Sequence, residues 1–368
     1  MYIFLALLLS MAFLIYFILQ LPVFGKKPQG SRLARIKQLP NYQKGALQNL
    51  SPTPMKPADV SYWQVIREML KRNMNRSPGF TLPALKPEFK PANGTRITWF
   101  GHSSYLVQVD QINILVDPVF SATPSPFPFI GYKNFKGTDF IQPDDLPALD
   151  IILITHDHYD HLDYQTILDL SHKTKLFITS LGVGAHLEHW KIPAEKVKEL
   201  CWGEEFVVQD LKFTAVPARH FTGRSFKRNQ TVWSSFVLQT PVHKLFLGGD
   251  SGYDTHFKEI GEKHGPFDLA ILECGQYNPF WPYIHMFPQE TAQAALDLKA
   301  QVLMPVHWGK YTLSMHNWNE PVLQVVEAAR ERQLKVTTPK LGEEVHVGIH
   351  YPDQQWWLSA SAIKQNRL

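Results

Sequence analysis

Thr155-His-Asp-His-Tyr-Asp-His-Leu-Asp163 crowds His156, His158, Asp160 and His161 into six consecutive positions. The run before it, Asp150-Ile-Ile-Leu-Ile-Thr155, is short, apolar and β-branched, as buried strands are. From Tyr164 to Leu170 the apolar residues return at helical spacing, which puts the cluster in a strand-to-helix turn. Imidazole nitrogens and a carboxylate so close together suit a borderline metal such as zinc. A solvated polar loop has no need of three histidines.

One turn cannot surround two metals, so further ligands must come from elsewhere. Three positions share its local pattern, an apolar strand-like run ending in a potential ligand. They are His220 after Phe213-Thr-Ala-Val-Pro-Ala-Arg, Asp250 after Lys244-Leu-Phe-Leu-Gly-Gly, and His307 after Gln301-Val-Leu-Met-Pro-Val. Gly248 and Gly249 allow a sharp turn or a close backbone approach beside Asp250. With the cluster, these complete a set of seven ligands.

In order along the chain, Trp99-Phe-Gly-His102-Ser-Ser, Leu115-Val-Asp117-Pro-Val-Phe, the 155–163 stretch, Pro217-Ala-Arg-His220, Gly249-Asp-Ser-Gly-Tyr253, Gly265-Pro-Phe-Asp-Leu269 and His307-Trp-Gly309 resemble the metallo-β-lactamase superfamily. More narrowly they are similar to its phospholipase D branch, which cleaves N-acyl-phosphatidylethanolamines; the match runs from about residue 95 to about 345. The resemblance implies an α/β fold, an αββα sandwich of two mixed sheets with metals at one edge. It assigns His156, His158 and His220 to a first Zn2+, Asp160, His161 and His307 to a second, and Asp250 to a bridge. It also implies a hydroxide held between the metals as nucleophile, oriented by Asp160. The branch has a histidine near its active site in the stretch matching Tyr283-Ile-His285-Met-Phe-Pro, which makes His285 a candidate general acid or phosphate ligand. His102 and Asp117 are expected either to orient metal-bound groups or to tie down a strand turn. Two aromatic loops, with Phe120, Phe127 and Phe129 in one and Phe280, Trp281 and Tyr283 in the other, are candidates for the walls of an acyl channel or for packing.

The net charge of +4 conceals two unlike parts. Between Lys26 and Lys90, thirteen Lys or Arg face only Asp59, Glu68 and Glu88, a surplus of ten that leaves the rest of the chain at −6. The two cysteines, Cys201 and Cys274, are far apart and form no C-x-x-C pair, so neither a disulfide framework nor a thiolate zinc site is expected. Residues Tyr2 to Phe24 form an apolar run interrupted only by Ser10, Gln20 and Pro22, which is read as a transmembrane helix. The basic residues that follow it predict a single-pass membrane protein with its catalytic domain on the cytoplasmic side. The expected organisation is an anchor over 1–24, a basic Pro-rich arm over 25–92, a catalytic domain over 93–350 and a tail over 351–368. Within the arm, Tyr62 to Met74 reads as a short amphipathic helix with Trp63, Ile66 and Leu70 on one face, either offering Arg67, Lys71 and Arg72 to lipid headgroups or packing against the main domain as part of a solvated linker.

These features predict a dinuclear zinc hydrolase acting as a phosphodiesterase on membrane phospholipids, in contact with the bilayer through the N-terminal helix and arm. A lactonase or amide hydrolase acting on a small soluble substrate is the alternative, because the same centre attacks carbonyls. Nucleic acid is disfavoured as a partner by the acidic balance of the catalytic part, and a non-catalytic scaffold by the intact ligand set.

Overall fold

The strands of the catalytic part bury both faces. In Tyr105–Val109, Ile112–Val116 and Leu149–Ile154, the residues Tyr105, Val107, Ile114, Val116, Ile151 and Leu153 point into one apolar cluster. Their alternates Leu106, Leu115, Ile152 and Ile154 point into another. Side chains on a strand alternate between faces, so one sheet here separates two hydrophobic layers. The computed structural model, which describes residues 2–71, 73, 75–90 and 93–358, shows the whole arrangement.

Two seven-stranded sheets form the centre. In the first the spatial order is Glu344–His346, Thr95–Trp99, Tyr105–Val109, Ile112–Val116, Leu149–Ile154, Thr174–Ser180 and Val197–Leu200. In the second it is Lys335–Val336, Val302–Val306, Leu269–Glu273, Lys244–Leu247, Ser234–Gln239, Leu211–Pro217 and Glu205–Val208. Each sheet has four consecutive parallel strands and an antiparallel remainder. Helix Tyr164–Ser171 covers the outer face of the first sheet through Ile167 and Leu170. Helices His256–His264, Pro288–Asp297 and Glu320–Glu331 pack into the larger core with the second. Helices therefore lie outside two facing sheets, an αββα sandwich.

Asp117, His156, Asp250 and His307 all follow the carboxyl ends of parallel strands, where open α/β sheets place their ligand sites. The close approach read from the glycines holds: a Cβ on Gly248 would meet the Ile271 carbonyl oxygen at 2.6 Å, and one on Gly249 that of Ser234 at 2.5 Å.

The N-terminal reading needs correction. The apolar run folds as a helix only over Tyr2–Ile18, 17 residues long, which amounts to about 25 Å at 1.5 Å per residue against a hydrocarbon core of about 30 Å. Proline has no amide hydrogen and its ring collides with the carbonyl four residues earlier, so Pro22 stops the helix at Ile18. Among the described residues no helix is long and apolar enough to cross a membrane. The transmembrane anchor, and the single-pass placement with the domain on the cytoplasmic side, are overturned.

The chain beyond this helix is stapled to the domain. Trp190 Nε1 donates to the Pro22 carbonyl at 2.7 Å and Arg224 Nη2 to that of Val23 at 2.8 Å. Arg32 bridges Glu188 and Glu199, each at 2.6 Å, and Arg35 pairs with Glu204. Ile36 and Leu47 are fully buried against Leu181, Ala218 and Trp233. The amphipathic helix spans Tyr62–Met69, capped by Ser61, and none of its residues is buried; Arg72 and Met74 of the expected helix lie outside the described residues. Beyond residue 350, Trp356 and Trp357 pack against Trp308, and residues 359–368 lie outside the described set.

This arrangement predicts two different truncations. Removing residues 1–21, no helical residue of which is buried, should change unfolding free energy by no more than about 0.5 kcal/mol, as exposed positions do. Removing residues 1–47 also deletes Ile36, Leu47 and the Arg32 pairs, and should cost roughly 3 kcal/mol or more. Chemical denaturation of the purified chains measures both; a shorter truncation that unfolds the domain contradicts the assignment.

Candidate metal centre

The seven residues picked from sequence converge at one edge of the sandwich. Ligand atoms of His156, His158, His220 and Asp250 lie within 4.8 Å of one another, as do those of His102, Asp160, His161 and His307. A third grouping joins Asp250 and His307 with His285. Asp250 stands between the first two. Its Oδ2 faces His220 Nε2 at 3.6 Å and His156 Nε2 at 3.9 Å, while its Oδ1 faces His161 Nε2 at 3.1 Å and His307 Nδ1 at 3.2 Å.

The imidazoles are held from behind. Thr155 Oγ1 donates to Asp117 Oδ2 at 2.6 Å and so is free to accept from His156 Nδ1 at 3.0 Å. His161 gives Nδ1–H to Asp117 Oδ2 at 2.7 Å, and His220 gives Nδ1–H to the Ile284 carbonyl at 2.8 Å. Ser103 Oγ lies 2.9 Å from His307 Nδ1. His156, His161 and His220 thereby keep Nε2 turned inward, and such outer bonding fixes tautomer and orientation in metal-binding histidines, whereas His307 presents Nδ1 to both Ser103 and Asp250 Oδ1. His158 instead turns Nδ1 inward, 2.9 Å from His156 Nε2 and 3.2 Å from His220 Nε2. His102 Nε2 meets Asp160 Oδ2 at 2.9 Å. His102, Asp117 and His307 sit at φ of 53°, 40° and 66°, the left-handed region that non-glycine residues rarely occupy. Such backbone persists only where its surroundings impose it, and it gathers at functional sites.

The donor set fits a cation. His161 Nε2, His307 Nε2 and Asp250 Oδ1 are buried without a hydrogen-bond partner, which is costly unless something else satisfies them. Burial, reinforced by neighbouring imidazoles, holds His156, His220 and His307 well below the ordinary histidine value, and burial takes His158 down to about 4. These rings are neutral, with lone pairs to offer. Burial opposes charge on His161 too, yet Asp250, Asp160 and Asp117 around it push it well above the ordinary value. Burial raises Asp250 to about 6 against the pull of His161 and His285. Buried carboxylates on this scale call for positive charge at the point where the groups meet.

Two buried acids escaped the sequence reading. Asp157 lies inside the deciding stretch but turns away from the other ligands, accepting from Gly223 N at 2.7 Å, Thr231 Oγ1 at 2.9 Å and His186 Nε2 at 3.2 Å. Glu273 ends the strand Leu269–Glu273 and accepts from Ser251 N at 3.0 Å and Met286 N at 3.2 Å, with His285 Nδ1 at 3.1 Å from Oε2. Burial pushes its carboxyl well above the ordinary value, and the two amides pull it back. Its signal was the one used for Asp250, an apolar strand closed by an acid.

The cleft over the centre has about 200 Å³ of room and is walled by Phe221, Trp281, Ile284 and Leu313 beside the ligands. Of the two aromatic loops, only the second reaches it, through Trp281; Phe127 stacks on Phe129 and meets Phe24 instead. A larger cleft of about 350 Å³ lies under residues 19–29, lined by Lys26, Lys27 and Lys227, but the Asp157 and His186 on its floor are already bonded to one another.

Residues 112–308 match the description of a beta-lactamase superfamily domain. An uncharacterized protein of Mycobacterium tuberculosis is 38% identical over 328 residues, covering 87% of this chain and 88% of that one. N-acyl-phosphatidylethanolamine-hydrolyzing phospholipase D 1 of Caenorhabditis elegans is 34% identical over 240 residues, 61% of this chain and 67% of its own. Among solved structures, a metallo hydrolase from Ignicoccus hospitalis shares the fold at a TM-score of 0.52 and 20% identity, over 68% of this chain and 97% of that one. The ligand geometry and these relatives agree: the chain belongs to the beta-lactamase superfamily, as a metal-dependent hydrolase of the branch that includes the N-acyl-phosphatidylethanolamine-hydrolysing phospholipases D.

Proposed function

We propose that this chain is a dinuclear zinc phosphodiesterase of phospholipase D type, which hydrolyses N-acyl-phosphatidylethanolamine-like phospholipids and releases phosphatidic acid. The observation that carries the reading is Asp250, which turns one carboxylate oxygen to each of two histidine groups. His156, His158 and His220 would hold one ion, and Asp160, His161 and His307 the other. Bound there, two zinc ions lower the pKa of water and stabilise negative charge on oxygen during an in-line displacement.

The chain's own residues divide the remaining work. Asp160, fixed through Oδ2 by His102, keeps a second oxygen available to orient the attacking water. His285 stands beside His220 and His307 with ring centroids 5.0 and 5.2 Å away. From there it serves as the group that binds the phosphate or gives a proton to the leaving alcohol oxygen. Phe221 packs on the His158 and His220 rings, at 4.5 and 4.8 Å, and with Trp281 gives the cleft its apolar wall. About 200 Å³ admits a phosphodiester group and not its acyl chains, which would lie outside the cleft. The C. elegans relative's named substrate supports the lipid choice over a soluble lactone.

Incubating the purified, zinc-supplemented chain with N-acyl-phosphatidylethanolamine in detergent should release phosphatidic acid, detected by mass spectrometry. Turnover of a simple lactone without phosphatidic acid would reject the lipid reading in favour of carbonyl hydrolysis. Asp160→Asn should fold normally and lose activity by orders of magnitude; unchanged turnover removes Asp160 from the mechanism.

Metal analysis offers a second check. The chain should bind about two zinc ions, and Asp117→Asn, which alters the partner of both His161 and Thr155, should weaken zinc affinity by roughly 10–100-fold, as loss of an orienting group does elsewhere. Wild-type-like affinity in a competitive chelator titration would show that Asp117 only ties down its strand end.

A further inference from the structure

The geometry points to Glu273 as a positioning residue that sets which nitrogen of His285 faces the metal cleft. His285 lies on a segment without regular structure between the strand Leu269–Glu273 and the helix Pro288–Asp297, so its backbone alone does little to fix its ring. Two contacts to one carboxylate do. Glu273 Oε2 lies 3.1 Å from His285 Nδ1, and Oε1 lies 3.3 Å from it. Oε1 also takes the backbone N–H of Met286, the next residue, and that of Ser251, the residue after Asp250. A single side chain, 1% exposed, thus ties the histidine segment to the loop that carries Asp250.

Burial works against charge on Glu273, but the Ser251 and Met286 amides and the His285 ring converge on its two oxygens, an arrangement that suits the carboxylate. With Ser251 N–H and Met286 N–H on Oε1, the bond from Oε2 is completed by a proton on His285 Nδ1, and Nε2 is left as the nitrogen turned to the cleft. A neutral imidazole has one donor and one acceptor nitrogen, and the partner of one decides the role of the other. Among the described residues no other hydrogen bond distinguishes the two nitrogens of His285, so without Glu273 the ring can turn over. The role is the one a buried acid plays behind an active-site histidine, holding orientation and tautomer while it stays clear of the reacting atoms. Placing His285 over substrate rests on the phosphodiester reading; the tautomer assignment does not.

Glu273→Gln separates the possibilities. Its amide oxygen can keep the Ser251 and Met286 bonds at Oε1, while its NH2 group, in the place of Oε2, donates to Nδ1 and forces the proton to Nε2. In ¹⁵N-histidine-labelled protein, long-range ¹H–¹⁵N spectra should report Nδ1–H at His285 in the wild type and Nε2–H in Glu273→Gln, with zinc content and melting temperature unchanged. On the lipid substrate, Glu273→Gln should lower kcat at least tenfold with little change in KM, and should cost nothing further in a His285→Ala background. A wild-type ring protonated at Nε2, or an equal loss in both backgrounds, overturns the proposal. If no phosphodiester is turned over by the wild type, the proposed function fails, and the tautomer spectra still decide the role of Glu273. Should Glu273→Gln not fold, the wild-type spectrum decides it alone.

Discussion

Asp250 can face two histidine groups only because the two facing sheets bring their strand ends together beneath it. Asp117 and His156 leave strands of the first sheet; His220, Asp250 and His307 leave strands of the second. Neither sheet carries a complete set of donors. The apolar layer between them, from Ile97, Val107 and Leu153 on one side to Phe213, Leu245 and Leu303 on the other, sets the distance across which the ligands meet. Close-packed interiors resist displacement, so a core built for stability also holds donor atoms within 4.8 Å of each other. The charge balance runs the same way: the buried carboxylates of Asp117 and Asp250 are tolerable only where imidazoles, and a metal, answer them.

Much of this was legible in the sequence because ligands and strands announce each other. A short apolar run that stops at a histidine or an acid gives the strand, its end and the donor at once, and His156, His220, Asp250 and His307, which end such runs, lie at the centre with the three other residues of the turn. The partners that hold those donors were harder to read. Ser103, Thr155 and the Ile284 carbonyl contact ligands 204, 1 and 64 positions away, and only the folded sheets decide which of many hydroxyls and carbonyls arrive there. Glu273 was missed for another reason. It satisfies the same strand-end pattern as Asp250, but a glutamate ending a strand is usually solvated, and its burial comes from Ser251 and Met286 closing over it.

The N-terminal segment shows where composition misleads. Apolar residues from Tyr2 to Phe24 add up to a span if each is given equal weight, but Pro22 acts on Ile18 through sterics that hydrophobicity does not record. The basic surplus after it misleads in the same way. Arg32 and Arg35 are committed to Glu188, Glu199 and Glu204 and so are not free to meet an anionic surface. Counted as charge, they belong to the arm; counted as contacts, they belong to the domain.

That docking bears on the metal centre itself. Arg224 is 4% exposed and lies over the Tyr159 ring. It donates to the Asp157 and Leu162 carbonyls at 2.9 and 2.7 Å, and so spans the turn that presents His158, Asp160 and His161. Its Nε and Nη2 donate to the Val23 carbonyl at 3.1 and 2.8 Å. On the other side of the turn, the Lys26 amide donates to His186 Nδ1 at 3.0 Å, which leaves His186 Nε2–H for Asp157. A buried guanidinium needs its donors filled, and part of that filling comes from Val23. The stretch that decides the fold is therefore braced from behind by the very segment whose composition argued for a membrane. The stop at Ile18 releases the carbonyls of Pro22 and Val23 to make that brace.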